Sequence, residues 1–170
     1  FNLQGGSGET SVLAKPDFPM PSIDEPTRLG YQFKGYFTQP KGLGYQYYTN
    51  EAASARNCDL VDGATLYAHW EIEYYGITYI YEDRSVANPN PSQYTVEMLP
   101  LTFATMETPT HRIEWDTPSL DVGQTGAVEI TGTWARKTFT LSYNLNGASG
   151  SIPSKSLTFG DNIGSLPTPT

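Results

Sequence analysis

The chain has 170 residues and a net charge of −8, so it lacks the clustered basic side chains that bind nucleic acid or anionic membrane surfaces. Only 16% of its residues are charged, whereas it contains 12 tyrosines, 16 glycines and 13 prolines, a composition that favours β-strands joined by turns. The single cysteine, Cys58, excludes an intrachain disulfide framework, and no apolar run is long enough to span a membrane.

The chain opens on Phe-Asn-Leu-Gln-Gly-Gly-Ser-Gly (1–8), which we interpret as the end of a strand followed by a glycine-rich turn. Similar residues return at 143–150, where Asn146-Gly147 is a strong hairpin signal. A phosphate-binding loop would need a following Gly-Lys-Ser/Thr and the start of a helix, and the sequence has neither. These glycines therefore predict tight hairpins.

The next predicted strand is Gly30–Phe37, which supplies large aromatic side chains to a small core. Within it, Gly35 predicts a β-bulge or a close approach of the backbone. Residues 111–115 form a shorter version without glycines, and we expect Trp115 to take the place of Tyr36 there.

Residues 38–64 form a long connection, in which the alanines of 49–56 and the capping residue Thr49 predict one or two turns of helix. A strand follows over 65–74, because Leu66, Ala68 and Trp70 alternate with polar or amphipathic residues. Alternation with a period of two buries one face of a strand and leaves the other in water.

The same features recur at a fixed spacing. Trp70 and Trp134 are 64 residues apart, as are Tyr79 and Tyr143, which is typical of a tandem repeat. We predict a first repeat at 1–72 that lacks its opening residues, a divergent second repeat at 73–136, and the first half of a third at 137–170. The predicted fold is mostly β with minimal helix.

These motifs resemble the internalin-type B repeat, or Listeria–Bacteroides repeat, of bacterial surface proteins. The resemblance lies in Phe1–Gly6, in Pro-Thr-Arg-Leu-Gly-Tyr-Gln-Phe-Lys-Gly-Tyr at 26–36, and in Thr-Leu-Tyr-Ala-His-Trp at 65–70. The second repeat departs from the pattern at 80–86 and at 111–114. The resemblance implies small β-grasp-like units arranged end to end in a cell-surface, cell-wall or secreted protein, with no catalytic residues and no cofactor.

The sequence contains no recognisable set of catalytic or metal-binding residues. His69, His111 and Cys58 do not have the spacing of a zinc site, and we expect both histidines to be solvated. Glu71 and Glu73 lie on one side of one strand, whereas glycosidase carboxylates face each other across a cleft. Calcium binding by the acidic stretch 116–121 stays open, although it has no EF-hand pattern.

Tyrosine is the residue in excess, and it suggests a ligand-binding surface. Tyr45, Tyr47, Tyr67 and Tyr75 are the candidate ligand-facing aromatics for a glycan or protein partner. The competing interpretation is that these rings fill small β cores.

The leading functional hypothesis is therefore a non-enzymatic, semi-rigid stalk or spacer, with a possible part in adhesion. The alternatives are a carbohydrate- or protein-binding adhesion module, or a filament subunit that self-associates through exposed strand edges. The expected partners are adjacent repeats and an unidentified protein or glycan at the cell surface.

Overall fold

The computed structural model describes residues 1–83, 85–147 and 149–165, and these residues are mostly β, as predicted. The strands are β1 (Tyr31–Phe37), β2 (Gln46–Tyr48), β3 (Tyr67–Ile72), β4 (Tyr75–Ile80), β5 (Gln93–Tyr94), β6 (Leu101–Thr102), β7 (His111–Trp115), β8 (Ser119–Leu120), β9 (Val128–Arg136), β10 (Thr138–Leu141) and β11 (Lys155–Thr158). Short 3₁₀ turns lie at Pro40–Gly42 and Val96–Met98. Within the described residues, no helix has the length and apolarity needed to cross a membrane.

The chain folds into two compact units, whose bounds differ from those of the predicted repeats. Unit 1 contains Phe1–Gly76 together with Gln93–Pro100 and Asp121–Ala127. Unit 2 contains Ile77–Ser92, Leu101–Leu120 and the described residues from Val128 onward. The boundary between Gly76 and Ile77 falls inside β4.

Unit 1 is built on an antiparallel sheet in the order β2-β1-β3. Phe33 and Tyr36 of β1 are buried, and Phe1 packs on Tyr36 with ring centroids 4.4 Å apart. Asn2 lies on the far side of β3, where its N–H donates to the Leu66 carbonyl at 2.8 Å in a parallel bridge. The opening residues of the chain thus run parallel to the closing strand β3.

A β-bulge interrupts β1 at Gly35, as the sequence predicts. The register with β3 shifts between Phe33 and Gly35, and Gly35 has a φ of +121°. A Cβ at this position would lie 2.3 Å from the Tyr48 carbonyl oxygen of β2, so the neighbouring strand approaches too closely for a side chain.

Unit 2 has a similar order of opening, closing and central strands. The opening strand β4 pairs in parallel with the closing strand β9, and β9 pairs antiparallel with the central strand β7. The short strands β6 and β8 form a separate antiparallel pair. The buried hydrophobic side chains are Ile77, Phe103, Met106, Ile113, Trp115, Leu120, Ile130 and Leu157.

The strand registers show that Trp115 does take the place of Tyr36. Tyr36 is paired with Ala68 in unit 1, and Trp115 is paired with Gly132, which lies 64 residues after Ala68. β7 carries no bulge, because consecutive residues from Ile113 to Trp115 pair with consecutive residues of β9. The central segment of the second predicted repeat is therefore shorter than β1 because it lacks the residue that forms the bulge.

The predicted helix within 49–56 is wrong. This segment is a tight turn, in which Ala52 has a φ of +55° and is not in a helical conformation. The Thr49 hydroxyl accepts hydrogen bonds from the N–H groups of Glu51 and Ala53, at 3.3 and 3.2 Å. Thr49 was expected to cap a helix through its hydroxyl. The hydroxyl does accept backbone hydrogen bonds, but these bonds close a turn.

The glycine-rich segments form tight turns with one geometry, 142 residues apart, and the first is not the predicted hairpin, because Asn2 pairs with Tyr67 and Ser7 with Thr27. Gln4 and Gly5 have φ values of +49° and +87°, and Asn146 and Gly147 have values of +48° and +94°. In each turn the residue two positions earlier accepts the turn N–H through its side chain: Asn2 from Gln4 at 3.1 Å, and Asn144 from Asn146 at 2.9 Å. The β-grasp-like topology of a whole repeat stays a prediction.

Candidate functional site: the repeat junctions and the tyrosine surface

A contact within unit 1 joins the end of the first predicted repeat to the start of the second. We call it the first junction, and it consists of Gly30, Tyr31, Glu73, Val96 and Glu97. The Glu73 N–H donates to the Gly30 carbonyl at 2.9 Å. Gly30 has a φ of +75°, and a Cβ there would lie 2.3 Å from a methyl carbon of Val96. Only glycine fits this position, because both the backbone conformation and the contact with Val96 exclude a side chain.

Tyr31 extends the first junction with polar contacts. Its hydroxyl donates to the Glu97 carboxylate, and the Arg28 guanidinium lies 3.7 Å from the centroid of its ring. The hydrogen bond to Glu97 raises the pKa of Tyr31, because the carboxylate is bonded to the neutral phenol. The side chain thus links a central-strand residue to the 3₁₀ turn Val96–Met98.

A second junction lies within unit 2 and consists of Glu107, Thr110, His111, Lys137 and Phe159. The Lys137 N–H donates to the Thr110 carbonyl at 2.8 Å, and the Lys137 carbonyl accepts the Phe159 N–H at 2.8 Å. The Phe159 ring lies 6.5 Å from the His111 ring, measured between centroids. The backbone of Lys137 therefore holds the β10–β11 hairpin against the start of β7.

A salt bridge reinforces the second junction. The Lys137 ammonium lies 2.7 Å from the Glu107 carboxylate. This hydrogen bond and the positive charge of Lys137 lower the pKa of Glu107. Both side chains are partly exposed, so the pair favours one geometry of the junction with only a small effect on stability.

The two junctions are equivalent in the repeat. Glu73 and Lys137 are 64 residues apart, and each follows its repeat's tryptophan by three positions. Each donates its N–H to the residue that precedes the central strand, Gly30 before β1 and Thr110 before β7. Sequence reasoning did not identify these residues, although the 64-residue offset applied to the positions after Trp70 could have found them.

The repeated tryptophans lie just before the junctions and bond to the opening segments. The Trp70 indole N–H donates to the Leu3 carbonyl at 2.9 Å, and the Trp134 indole N–H donates to the Glu82 carbonyl at 2.7 Å. Both side chains are half-buried. Each tryptophan thus fastens its closing strand to the loop after the opening strand of the same repeat.

The predicted tyrosine surface is only partly exposed. Tyr45 is 68% exposed, and the Arg56 guanidinium lies 4.9 Å from its ring centroid. Tyr47 is buried, and its hydroxyl donates to Asp59, which corrects the expectation that it faces a ligand. Burial, together with this hydrogen bond, raises the pKa of Tyr47 to about 12. The Arg56 guanidinium also lies 5.0 Å from the Tyr47 ring centroid, but of these two tyrosines only Tyr45 is exposed.

The other two candidates lie on different strands and are half-buried. Tyr67 begins β3, opposite Phe37. The Tyr75 hydroxyl donates to Glu73 at 2.6 Å, which raises the pKa of Tyr75 to about 12, and its ring lies 5.4 Å from that of Tyr94. Tyr75 therefore belongs to the surroundings of the first junction.

The histidines and paired carboxylates have local structural partners. His69 packs edge-on against Phe37, and Glu71 forms a 2.7 Å salt bridge with Lys34. His111 shares a 2.8 Å hydrogen bond with the Thr110 hydroxyl. Among the described residues, no group of three or more His, Cys, Asp or Glu side chains is placed to hold a metal ion.

A comparison with known protein families gives a match, and it lies in the first predicted repeat. Residues 1–69 match the Listeria-Bacteroides repeat domain. The match covers the first predicted repeat almost to its end and less than half of the chain. No curated protein and no solved structure match the chain.

Proposed function

We propose that the chain is a non-catalytic repeat region of a bacterial cell-surface or secreted protein, and that it acts as a semi-rigid stalk or spacer. The family match of residues 1–69 supports a surface-protein repeat, and we assign the repeats to the internalin-type B group on the motifs at 1–6, 26–36 and 65–70. An extracellular location follows from this assignment.

The repeated junction is the observation that carries the proposal. A flexible array needs linkers with few contacts, which are commonly rich in glycine and serine. Here the residue three positions after each tryptophan is already hydrogen-bonded to the preceding repeat, through Glu73 in one case and Lys137 in the other. Repeats that share contacts with their neighbours behave as a quasi-one-dimensional array.

Small-angle X-ray scattering of the chain in solution tests this proposal. We expect the scattering of an extended, semi-rigid particle. A matched variant with a flexible Gly-Ser segment inserted between Ile72 and Glu73 should lose this stiffness, because the insertion separates Trp70 from the first junction. A compact or freely jointed profile for the unmodified chain would contradict a stalk.

Adhesion is a second candidate function, and it is favoured by two exposed aromatic rings. Tyr45 and Tyr74 are each 68% exposed, so both rings are accessible to a partner. Such rings stack on the apolar faces of sugars or on partner side chains.

A glycan array distinguishes adhesion from a purely mechanical role. Adhesion predicts binding that is lost in Tyr45→Ala or Tyr74→Ala. Leu13→Ala is the control, because Leu13 is 97% exposed and is not aromatic. Signal at background level for the unmodified chain would leave no support for a glycan-binding function.

A further inference from the structure

We propose that a charged cleft beside the second junction binds an oxyanion, the carboxylate or phosphate group of a ligand. We call this cleft the second cleft. It lies within unit 2 and has a volume of about 460 Å³. The residues that line it are Glu107, Arg112, Glu114, Arg136, Lys137 and Thr138. Such a site does not depend on the stalk proposal, because it needs only residues of unit 2.

An equivalent first cleft lies beside the first junction, within unit 1, and has a volume of about 290 Å³. The residues that line it are Gln32, Glu71, Ile72, Glu73, Tyr74 and Tyr75. The strand registers relate the two clefts: Gln32 pairs with Glu71, and Arg112 pairs with Ala135, which lies 64 residues after Glu71. The first cleft is open although Gln93–Pro100 of the following predicted repeat belongs to the same unit. A cleft at this position is therefore open even where residues of the following repeat are present.

The two clefts differ in charge at equivalent positions, and three differences make the second cleft more positive. From the first cleft to the second, Gln32 is replaced by Arg112, Ile72 by Arg136, and Glu73 by Lys137. The second cleft thus holds three of the chain's 10 basic residues, although the chain has a net charge of −8. Its three basic and two acidic lining residues leave a local net charge of +1. A positively charged cleft raises the local concentration of anions.

The carboxylates of the second cleft position two of its cations. Glu114 lies 3.0 Å from the Arg112 guanidinium, and Glu107 lies 2.7 Å from the Lys137 ammonium. The hydrogen bond and charge of Lys137, with a smaller effect of Arg112, lower the pKa of Glu107, so both cations lie near one carboxylate. Arg136 is exposed, and within the described part of the chain no carboxylate forms a salt bridge with it.

The chemistry of these side chains favours an oxyanion. A guanidinium and an ammonium each have more N–H donors than a single carboxylate oxygen uses, so all three cations can still donate to a ligand. The planar fork of arginine matches the geometry of carboxylate and phosphate groups. Among the described residues that line the second cleft, none is aromatic or aliphatic, so charge and hydrogen bonding select the ligand.

Inorganic phosphate and glucuronate are the probes, added to the full chain at an ionic strength held constant with sodium chloride. Glucose is the uncharged counterpart of glucuronate. We expect saturable shifts of the side-chain N–H resonances of Arg112 and Arg136 and of the Lys137 amide, while resonances around Gln32 and Glu73 of the first cleft stay unchanged. A response to either oxyanion supports the site, and the tighter of the two identifies the group that it prefers.

The double variant Arg112→Gln with Arg136→Ile gives the second cleft the residues found in the first, and it should weaken binding about tenfold or more. Retained dispersion of the β7 and β9 amides shows that the variant is folded. Lys15→Gln combined with Lys41→Gln is the matched control, because it removes the same charge from exposed positions in unit 1.

Three results would overturn the proposal. The first is a response of the unmodified chain that does not saturate, or that is equally large with glucose or with chloride alone. The second is an equal response of the two clefts. The third is equal weakening by the double variant and by the control pair, which would indicate attraction to the overall charge of the chain.

Discussion

At the scale of single residues, the pairing of a large side chain with a small one sets the packing of each repeat. Tyr36 lies opposite Ala68, whereas the larger Trp115 lies opposite Gly132. A Cβ at Gly132 would lie 2.6 Å from both Ile113 and Trp115 side-chain atoms. Compared with unit 1, unit 2 therefore has a larger aromatic ring opposite a smaller residue, and the strand register is the same.

We expect Gly132→Ala to destabilise unit 2 by about 1–3 kcal/mol, because the added methyl group overpacks the core. Urea unfolding measures the change. Gly76→Ala is the matched control, since nothing lies within 4 Å of a Cβ at that strand position. Combining Gly132→Ala with Trp115→Tyr restores the pair found in unit 1 and should recover part of the loss. A neutral Gly132→Ala variant would refute the packing argument.

Trp70 and Trp134 are expected to stabilise the unit in which each lies. Trp70→Ala removes the bond to Leu3 and the packing on Phe33, at a cost of about 3 kcal/mol, the lower end for a large aromatic side chain because Trp70 is only half-buried. Unit 2 should survive, since Trp115 and Trp134 and their contacts remain. The indole and amide resonances of each unit, followed through urea unfolding, provide the measurement.

Trp134→Ala is the reciprocal variant, and it should unfold unit 2 while the amides of β1 and β3 keep their dispersion. Loss of both units at one urea concentration in the Trp70→Ala variant would contradict independent stabilisation.

At the scale of strands and turns, the sequence predicts what depends on local chemistry. The bulge at Gly35, the turn at Asn146-Gly147 and the equivalence of Trp115 with Tyr36 follow from glycine positions and from a fixed offset. The prediction of a helix within 49–56 was wrong because alanine favours a helix only weakly. Here the hydrogen bond to the Thr49 hydroxyl and the bond from the Ala55 N–H to the Tyr47 carbonyl favour a turn instead.

The sequence gives less information about the sites. Tyr45 and Tyr47 stand two residues apart in an aromatic run, and alternation alone would place them on one face. Tyr45 nonetheless lies just outside β2, so its exposure differs from that of Tyr47. The junctions join residues that are far apart in the chain, such as Gly30 and Val96, and composition carries no signal for such a contact.

The second junction should loosen in acid. Lys137 lowers the pKa of Glu107 from its ordinary 4.5, so the contribution of this pair is present above pH 4.5 and is lost as the pH falls through the lowered folded-state value. The stability difference between the unmodified chain and Glu107→Gln should therefore shrink toward zero in strong acid. Urea unfolding of unit 2 across this pH range provides the measurement.

Glu129→Gln is the control for this pH dependence, because it removes the same charge from an exposed position on β9. Its stability difference should not follow the titration of Glu107. A Glu107→Gln difference that is constant with pH would show that the salt bridge does not stabilise the junction.

At the scale of the whole molecule, the bounds of the compact units differ from those of the predicted repeats. Gln93–Pro100 belongs to the second repeat by sequence but to unit 1 by contacts, and the β10–β11 hairpin belongs to the third repeat by sequence but to unit 2 by contacts. In both cases a segment from the first half of one predicted repeat clusters with the preceding predicted repeat. An array built in this way gains stability at each junction.

The central proposal is that the first junction holds successive repeats in one fixed relation. Spin labels at exposed Asp62 in the first predicted repeat and exposed Gln93 in the second, both within unit 1, report this relation as a distribution of distances when buried Cys58 is replaced by alanine. We predict a narrow distribution that broadens when a Gly-Ser segment is inserted between Ile72 and Glu73. A broad distribution in the chain without the insertion would contradict the proposal.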